Sequence, residues 1–171
     1  MTSEFKYGLG TGALVCVWIL LQYAFGLHTT HVAIGAYAGY ISNLIPVLGM
    51  FLLLRKKQRG IWDGRLSFAR GIFSGVQMAI ISALVVYSFL AVYHTFINPY
   101  WIDHMLEWKV AQLRATHQPE VAIQNQITLF RDAYSPLGIA RSTLLGMTLF
   151  GSVLSLLITA LLRILPTPRT E

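Results

Sequence analysis

Residues 72–97 read IFSGVQMAIISALVVYSFLAVYHTFI, a run of 26 residues without Asp, Glu, Lys or Arg. A helix of this length spans about 39 Å, which is enough to cross the hydrocarbon core of a bilayer. Similar apolar runs occupy residues 7–27, 33–54 and 137–162. None alternates apolar and polar residues as a barrel strand does, and a helix satisfies its own backbone in lipid. The sequence therefore predicts an all-α integral membrane protein with four transmembrane helices.

The composition agrees with this prediction. Of the 171 residues, 55% are apolar and 12% are charged, whereas soluble domains carry about 25% charged residues. The only cysteine, Cys16, lies in the first run and cannot form an internal disulfide. We therefore expect a single membrane domain over residues 1–171.

Basic residues predict the orientation, because cytoplasmic loops carry the excess of Lys and Arg. Nine basic residues fall on one side of the four runs: Lys6, Arg55, Lys56, Lys57, Arg59, Arg65, Arg70, Arg163 and Arg169. Four fall on the other side: Lys109, Arg114, Arg131 and Arg141. The first side, which includes both termini, is therefore predicted to be cytoplasmic.

The segment 98–136 lies on the opposite side and is the longest polar stretch. Asn98-Pro99 ends the third helix, since a residue before proline avoids the helical region. Ser135-Pro136 begins the fourth, with serine as cap and proline at the first helical position. Between them we expect an extracytoplasmic helical hairpin, which either caps the bundle or acts as a substrate-binding lid.

The net charge of +6 raises the question of a basic surface for nucleic acid. The basic residues stand beside apolar runs, which favours anionic lipid on the cytoplasmic side and no nucleic acid. The predicted lipid contacts are Arg55, Lys56, Lys57 and Arg59. The alternative is that these four residues only set the topology.

Small residues recur at helical spacing within the runs. Such residues let membrane helices approach closely, within one chain, with another membrane protein or in a homo-oligomer. Pro46 predicts a kink in the second helix. The predicted packing positions are Gly35, Gly39, Gly71 and Gly75.

No catalytic motif of the common kinds is present: no G-x-S-x-G, H-E-x-x-H, phosphate-binding loop or dinucleotide fingerprint. No acidic residue lies within the four predicted runs, where ion-coupled transporters usually place one. We therefore expect no enzymatic activity and no cofactor.

Histidines and acids on the outer side form one candidate metal site. All five histidines are on that side, and His104 and Glu107 are three residues apart, on one helix face. Imidazole and carboxylate together suit zinc. The predicted ligands are His28, His31, His104 and Glu107. The alternative is that histidine is simply an ordinary residue of the membrane interface.

Three short motifs resemble a known family. They are KYG at residues 6–8, LSFARG at 66–71 and YHTFINP at 93–99. They resemble the bacterial membrane family known as domain of unknown function 4199, over the whole chain. The resemblance implies the inner membrane of Gram-negative bacteria and supplies no catalytic residues.

Two functions remain in consideration. The first is a non-enzymatic packing, assembly or regulatory subunit that works through partners. The alternative is an oligomeric small-solute transporter or channel subunit, because four helices enclose little space alone. A membrane enzyme using the outer histidines and acids ranks below both.

Overall fold

The computed structural model describes residues 1–60 and 66–165, and the regular structure in these ranges is helical. The helices are α1 Ser3–Ala24, α2 Val32–Ile41, α3 Leu44–Gly60, α4 Phe68–Val92, α5 Trp101–Ala115, α6 Glu120–Ala133, α7 Pro136–Ala140 and α8 Met147–Ile164. Wider π-helical turns follow α4 at Tyr93–Ile97 and join α7 to α8 at Arg141–Gly146. The predicted cytoplasmic residues Arg65 and Arg169 lie outside the described residues.

Within residues 1–60 and 66–165, four helical segments are long and apolar enough to cross a membrane, which agrees with the predicted four spans. They are Ser3–Ala24, Val32–Gly60, Phe68–Ile97 and Pro136–Ile164. The first begins four residues earlier than predicted, because the side chain of Thr2 caps it by accepting a hydrogen bond from the Phe5 N–H at 3.3 Å. Glu4 is therefore part of the first helical turn.

The second span is interrupted in its middle. Helix α2 ends at Ile41 and α3 begins at Leu44, with Pro46 in the first turn of α3. Proline has no N–H to donate to the carbonyl group four residues earlier, which weakens the helix at this point. The kink predicted at Pro46 is thus a break at Ser42 and Asn43.

Helix α4 is the centre of the bundle. It packs against α1 and α8 along its length, and α3 packs against the same two helices. Helix α2 is peripheral, because its main contacts are with α3 and α5. The half of the second span that precedes the break is therefore the least embedded part of the four spans.

Glycines lie where the central helices touch. A Cβ added at Gly71 would meet Thr159, and one added at Gly75 would meet Ser155 and the Met50 sulfur. Between the same helices, the Ser155 hydroxyl lies 3.2 Å from the Ile72 carbonyl oxygen, to which it donates. Small residues on α4 thus let α8 approach closely enough for a side chain to bond the neighbouring backbone.

The two glycines predicted to pack the second span behave differently. Gly35 lies against the backbone carbonyl group of Leu27, in the turn that precedes α2. Gly39 has no atom within 4 Å of an added Cβ. Among the described residues, Gly35 therefore lies against the turn before α2 and not against another spanning helix, whereas the space where a side chain would stand at Gly39 is open.

Candidate functional site

A buried ion pair joins three spans at one end of the bundle. Lys57 of α3 pairs with Glu4 of α1, and its ammonium group also donates to the Ser74 hydroxyl of α4 at 3.0 Å. The Ser74 hydroxyl in turn donates to the Glu4 carboxylate at 2.7 Å. Glu4 and Ser74 are buried. We call these three residues the charged end.

The charged end follows from where the helices begin and end. The first turn of α1, the last turn of α3 and the second turn of α4 meet there. A charge removed from water is tolerated only when it is paired and hydrogen-bonded. Beside the ion pair, the buried Gln58 amide donates to the Leu162 carbonyl oxygen at 2.9 Å, which adds α8 to the network.

This geometry changes the predicted set of lipid-contacting residues. Lys57 points into the bundle and not toward lipid, because it balances the buried carboxylate of Glu4. Lys56 and Arg59 are exposed, and the Lys56 ammonium lies 5.6 Å from the centre of the Tyr7 ring. Arg55 is half-buried and donates to the Gln58 side chain at 3.0 Å.

Sequence reasoning missed Glu4 because it placed residues 1–6 ahead of the first span. The available signal was local. Thr2 is a good helix cap, and an acid two residues later fits the first turn of a helix. Its partner could not be found in this way, because Lys57 is 53 positions away.

Aromatic side chains and a histidine fill the opposite end of the bundle. The Tyr93 hydroxyl lies 2.6 Å from Nδ1 of His28, and the Asn98 amide donates to the same hydroxyl at 3.1 Å. All three residues are buried. Trp101 stacks edge-on against His28 and Tyr134, with ring centres 6.0 and 4.8 Å apart. We call these five residues the aromatic end.

Burial determines the charge state at the aromatic end. It lowers the pKa of His28 to about 4, with a further contribution from nearby His94. The neutral imidazole can then accept the Tyr93 O–H, while that oxygen accepts from Asn98. Burial also raises the pKa of Tyr134. The cluster is therefore uncharged at neutral pH.

Two polar atoms of this region lack partners among the described residues. They are Nδ1 of His94 and the indole nitrogen of Trp101, both buried, on rings whose centres lie 5.1 Å apart. His94 belongs to the π-helical turn Tyr93–Ile97. Such turns frequently mark functional positions, so this is where a polar ligand or water would find unused hydrogen-bonding groups.

The four predicted metal ligands divide into two groups. His31, His104 and Glu107 line one cleft of about 440 Å³, between residues 29–34 and α5. His28 is buried elsewhere, against Tyr93, and Nδ1 of His31 lies 2.9 Å from the Thr30 hydroxyl. Within residues 1–60 and 66–165, no three His, Cys, Asp or Glu side chains form a group that could hold a metal ion. The structure therefore does not bring the predicted ligands into one site.

A small cavity lies inside the bundle beside the break in the second span. It has a volume of about 120 Å³ and takes lining residues from all four spans, including Val15, Asn43, Ser82 and Met147. The side chains that line it are uncharged. It can therefore hold water or a small neutral group without a charge to neutralise.

Comparisons with known proteins identify the family. Neither the curated proteins nor the solved structures contain a match to this chain. A family model described as Protein of unknown function (DUF4199) matches residues 6–163, nearly the whole chain. The match includes the aromatic end, Lys57 and Ser74 of the charged end, and the four spans apart from residues 3–5 and residue 164. Glu4 lies outside the matched range. The chain, which has four helices long and apolar enough to span a membrane, therefore belongs to the DUF4199 family of proteins of unknown function.

Proposed function

We propose that this is a multi-pass protein of the bacterial inner membrane, with the charged end on the cytoplasmic side. The support is the basic bias of the termini and of residues 55–70 over the segment that contains α5 and α6. In this orientation α5 and α6 form an extracytoplasmic hairpin. The exposed ion pairs Arg114 with Glu120 and Arg131 with Asp103 connect its parts.

Within that membrane, we propose a non-enzymatic packing, assembly or regulatory subunit that acts through protein partners. The observation that carries this proposal is that polar groups of the spans bond to neighbouring helices of the same chain. The Lys57–Glu4 pair, the Gln58 amide and the Ser82 hydroxyl, which donates to the Gly8 carbonyl oxygen at 2.8 Å, each join one helix to another. These groups join the helices of the bundle to one another.

The hairpin offers a surface for such a partner. On α6 the apolar side chains Val121 and Leu129 are 74% and 62% exposed. Exposed apolar groups on an extracytoplasmic helix favour contact with another protein or with the membrane surface.

Photo-crosslinking in native membranes tests this proposal. A photoreactive amino acid at Leu129 should give one discrete protein adduct. The same group at Leu157, a 60% exposed residue of α8, should capture lipid only. Adducts of the same kind at both positions would contradict the proposal.

The alternative, a small-solute transporter or channel subunit, has one observation in its favour. Broken helices near the centre of a membrane often form substrate sites, and the break at Ser42 and Asn43 borders the 120 Å³ cavity. Solute uptake by the purified protein in liposomes, abolished by Met147→Phe, which would fill the cavity, would support transport. Absence of uptake would favour the packing, assembly or regulatory subunit over the transporter or channel subunit.

Anionic lipids are the other proposed partner. Lys56 and Arg59 are exposed beside the cytoplasmic leaflet in the proposed orientation, and Arg55 is partly exposed. Each such residue is worth about 1 kcal/mol of attraction to an anionic surface.

A further inference from the structure

Asn43 is an uncompensated polar group at the centre of the second span. It lies eleven residues from Val32 and eleven from Leu54, which bound the apolar part of that span. Its side chain is exposed and makes no hydrogen bond within residues 1–60 and 66–165. Hydrocarbon offers no partner to a carboxamide, and the free-energy cost of leaving one unpaired there is large.

The surface around Asn43 is open. Gly39 lies four residues earlier and on the same side, because the chain keeps a helical turn at the break: Ser42 has right-handed helical backbone angles, and the Asn43 N–H donates to the Tyr40 carbonyl oxygen at 3.1 Å. No atom lies within 4 Å of a Cβ added at Gly39. Tyr40, three residues before Asn43 and on the same side of the helix, is 71% exposed. Gly39 therefore leaves a gap for close approach, beside an Asn43 side chain that is exposed and also borders the 120 Å³ cavity.

We infer that a second copy of this chain docks on this face, with the two Asn43 carboxamides hydrogen-bonded to each other. A carboxamide both donates and accepts, so two identical groups satisfy each other across a two-fold axis. Two copies inserted in the same direction also place Asn43 at the same depth. A different membrane protein would need a polar group of its own at that depth.

Gly39 completes the interface. A glycine one turn from a polar residue lets two helix backbones approach closely, which shortens the reach of the amide pair. Of the four predicted packing glycines, Gly39 is the one whose added Cβ would meet no atom of the described residues, and the second copy supplies its contact. This inference holds for either function proposed above.

Water in the 120 Å³ cavity is the competing partner for Asn43. The amide borders that cavity together with Ser42 and Ser82. If water satisfied the amide, replacing Asn43 would leave self-association unchanged.

The first experiment measures the monomer–dimer dissociation constant in liposomes, by energy transfer between labelled copies. Asn43→Leu should raise this constant roughly three- to thirtyfold, and Asn43→Gln should restore most of the affinity. Gly39→Leu should also raise it, whereas Gly146→Leu should not, although Gly146 likewise has no neighbour within 4 Å. A monomeric wild type, or a constant unchanged by Asn43→Leu, would overturn the inference.

The second experiment locates the interface without altering Asn43. In a Cys16→Ser background, Tyr40→Cys should crosslink to a dimer in membranes. Leu145→Cys should not crosslink, although Leu145 is 60% exposed and lies at a similar depth on the fourth span. Equal crosslinking at both positions would show non-specific collision and would overturn the inference.

Discussion

The two ends of the bundle both join separate helices through buried polar side chains, but one end uses an ion pair and the other uses neutral groups. At the charged end, Glu4, Lys57 and Ser74 join α1, α3 and α4 through an ion pair and hydrogen bonds. The side chains of Lys57 and Glu4 are 13% and 10% exposed. At the aromatic end, His28, Tyr93 and Asn98 join the turn after α1 to the π-helical turn after α4 through neutral hydrogen bonds. Three spans converge at the first end, whereas α2 lies to one side of the second.

This difference indicates how each end should respond to mutation and to pH. A buried ion pair resists the loss of either partner, because the remaining charge is left in a poor solvent. The aromatic end is joined by neutral hydrogen bonds, and its buried His28 takes up a proton in acid. We therefore expect the charged end to fix the packing of the spans, and the aromatic end to respond to pH.

The largest expected effect comes from breaking the ion pair. Lys57→Met leaves the Glu4 carboxylate buried without its partner and should lower the free energy of unfolding by about 3–5 kcal/mol. Unfolding of the detergent-solubilised protein by SDS measures this. Lys56→Met, at the exposed neighbouring position, should have little effect. Equal losses for the two variants would contradict the proposed role of the pair.

Acid should weaken the aromatic end. The folded protein holds the pKa of His28 at about 4, whereas the unfolded chain takes up this proton near pH 6.5. Stability from neutral His28 is therefore complete above pH 6.5 and is lost as the pH falls toward 4, by a maximum on the order of 3 kcal/mol. Unfolding titrations at several pH values measure the slope.

His28→Gln supplies the control for this slope, because glutamine keeps an acceptor for Tyr93 and does not titrate. The variant should have a flatter pH dependence than the wild type. His117→Asn, which removes an exposed imidazole, should retain the wild-type dependence. A wild-type slope in His28→Gln would assign the acid sensitivity to another group.

Glycine substitutions should separate the core of the bundle from α2. Gly75→Ala places a methyl group against Ser155 and Met50 and should lower the free energy of unfolding by about 1–3 kcal/mol. Gly39→Ala would place its methyl group where no atom of residues 1–60 and 66–165 lies within 4 Å, and it should not lower the stability of the monomer. A comparable loss at both positions would mean that α2 packs more closely than described.

Lipid binding gives the smallest expected effect. Changing Lys56 and Arg59 together to Gln should reduce co-purified anionic lipid, at about 1 kcal/mol of attraction per residue. Native mass spectrometry counts the bound lipid. Changing Lys109 and Arg114, on α5, should leave it unchanged. The proposal fails if both double variants retain the wild-type amount of lipid.

The spans could be predicted because length and hydropathy are properties of contiguous residues. The run at residues 72–97 sufficed for one span, and three similar runs predicted the others. The predicted boundaries lie within four residues of the structure, except that the second span continues six residues beyond Leu54 to Gly60. The family resemblance rested on motifs at helix ends and is confirmed by the match over residues 6–163.

The sites could not be predicted in the same way, because they depend on which helix faces meet. Gly39 and Gly75 occur in similar small-residue patterns, but only Gly75 lies against another helix in the chain. His28 and His31 are three residues apart, but the turn after α1 buries the first against Tyr93 and leaves the second in the cleft with His104. Sequence spacing alone contains no information about that separation.

Side-specific labelling of two cysteines tests the central claim, a four-span protein whose charged end faces the cytoplasm. Arg59 and Gln124 are exposed, one beside the charged end and one on α6. In a Cys16→Ser background, an impermeant maleimide added outside intact spheroplasts should label Gln124→Cys. Arg59→Cys should react only after the membrane is opened. Labelling of both positions from the outside, or of Arg59→Cys alone, would contradict the account.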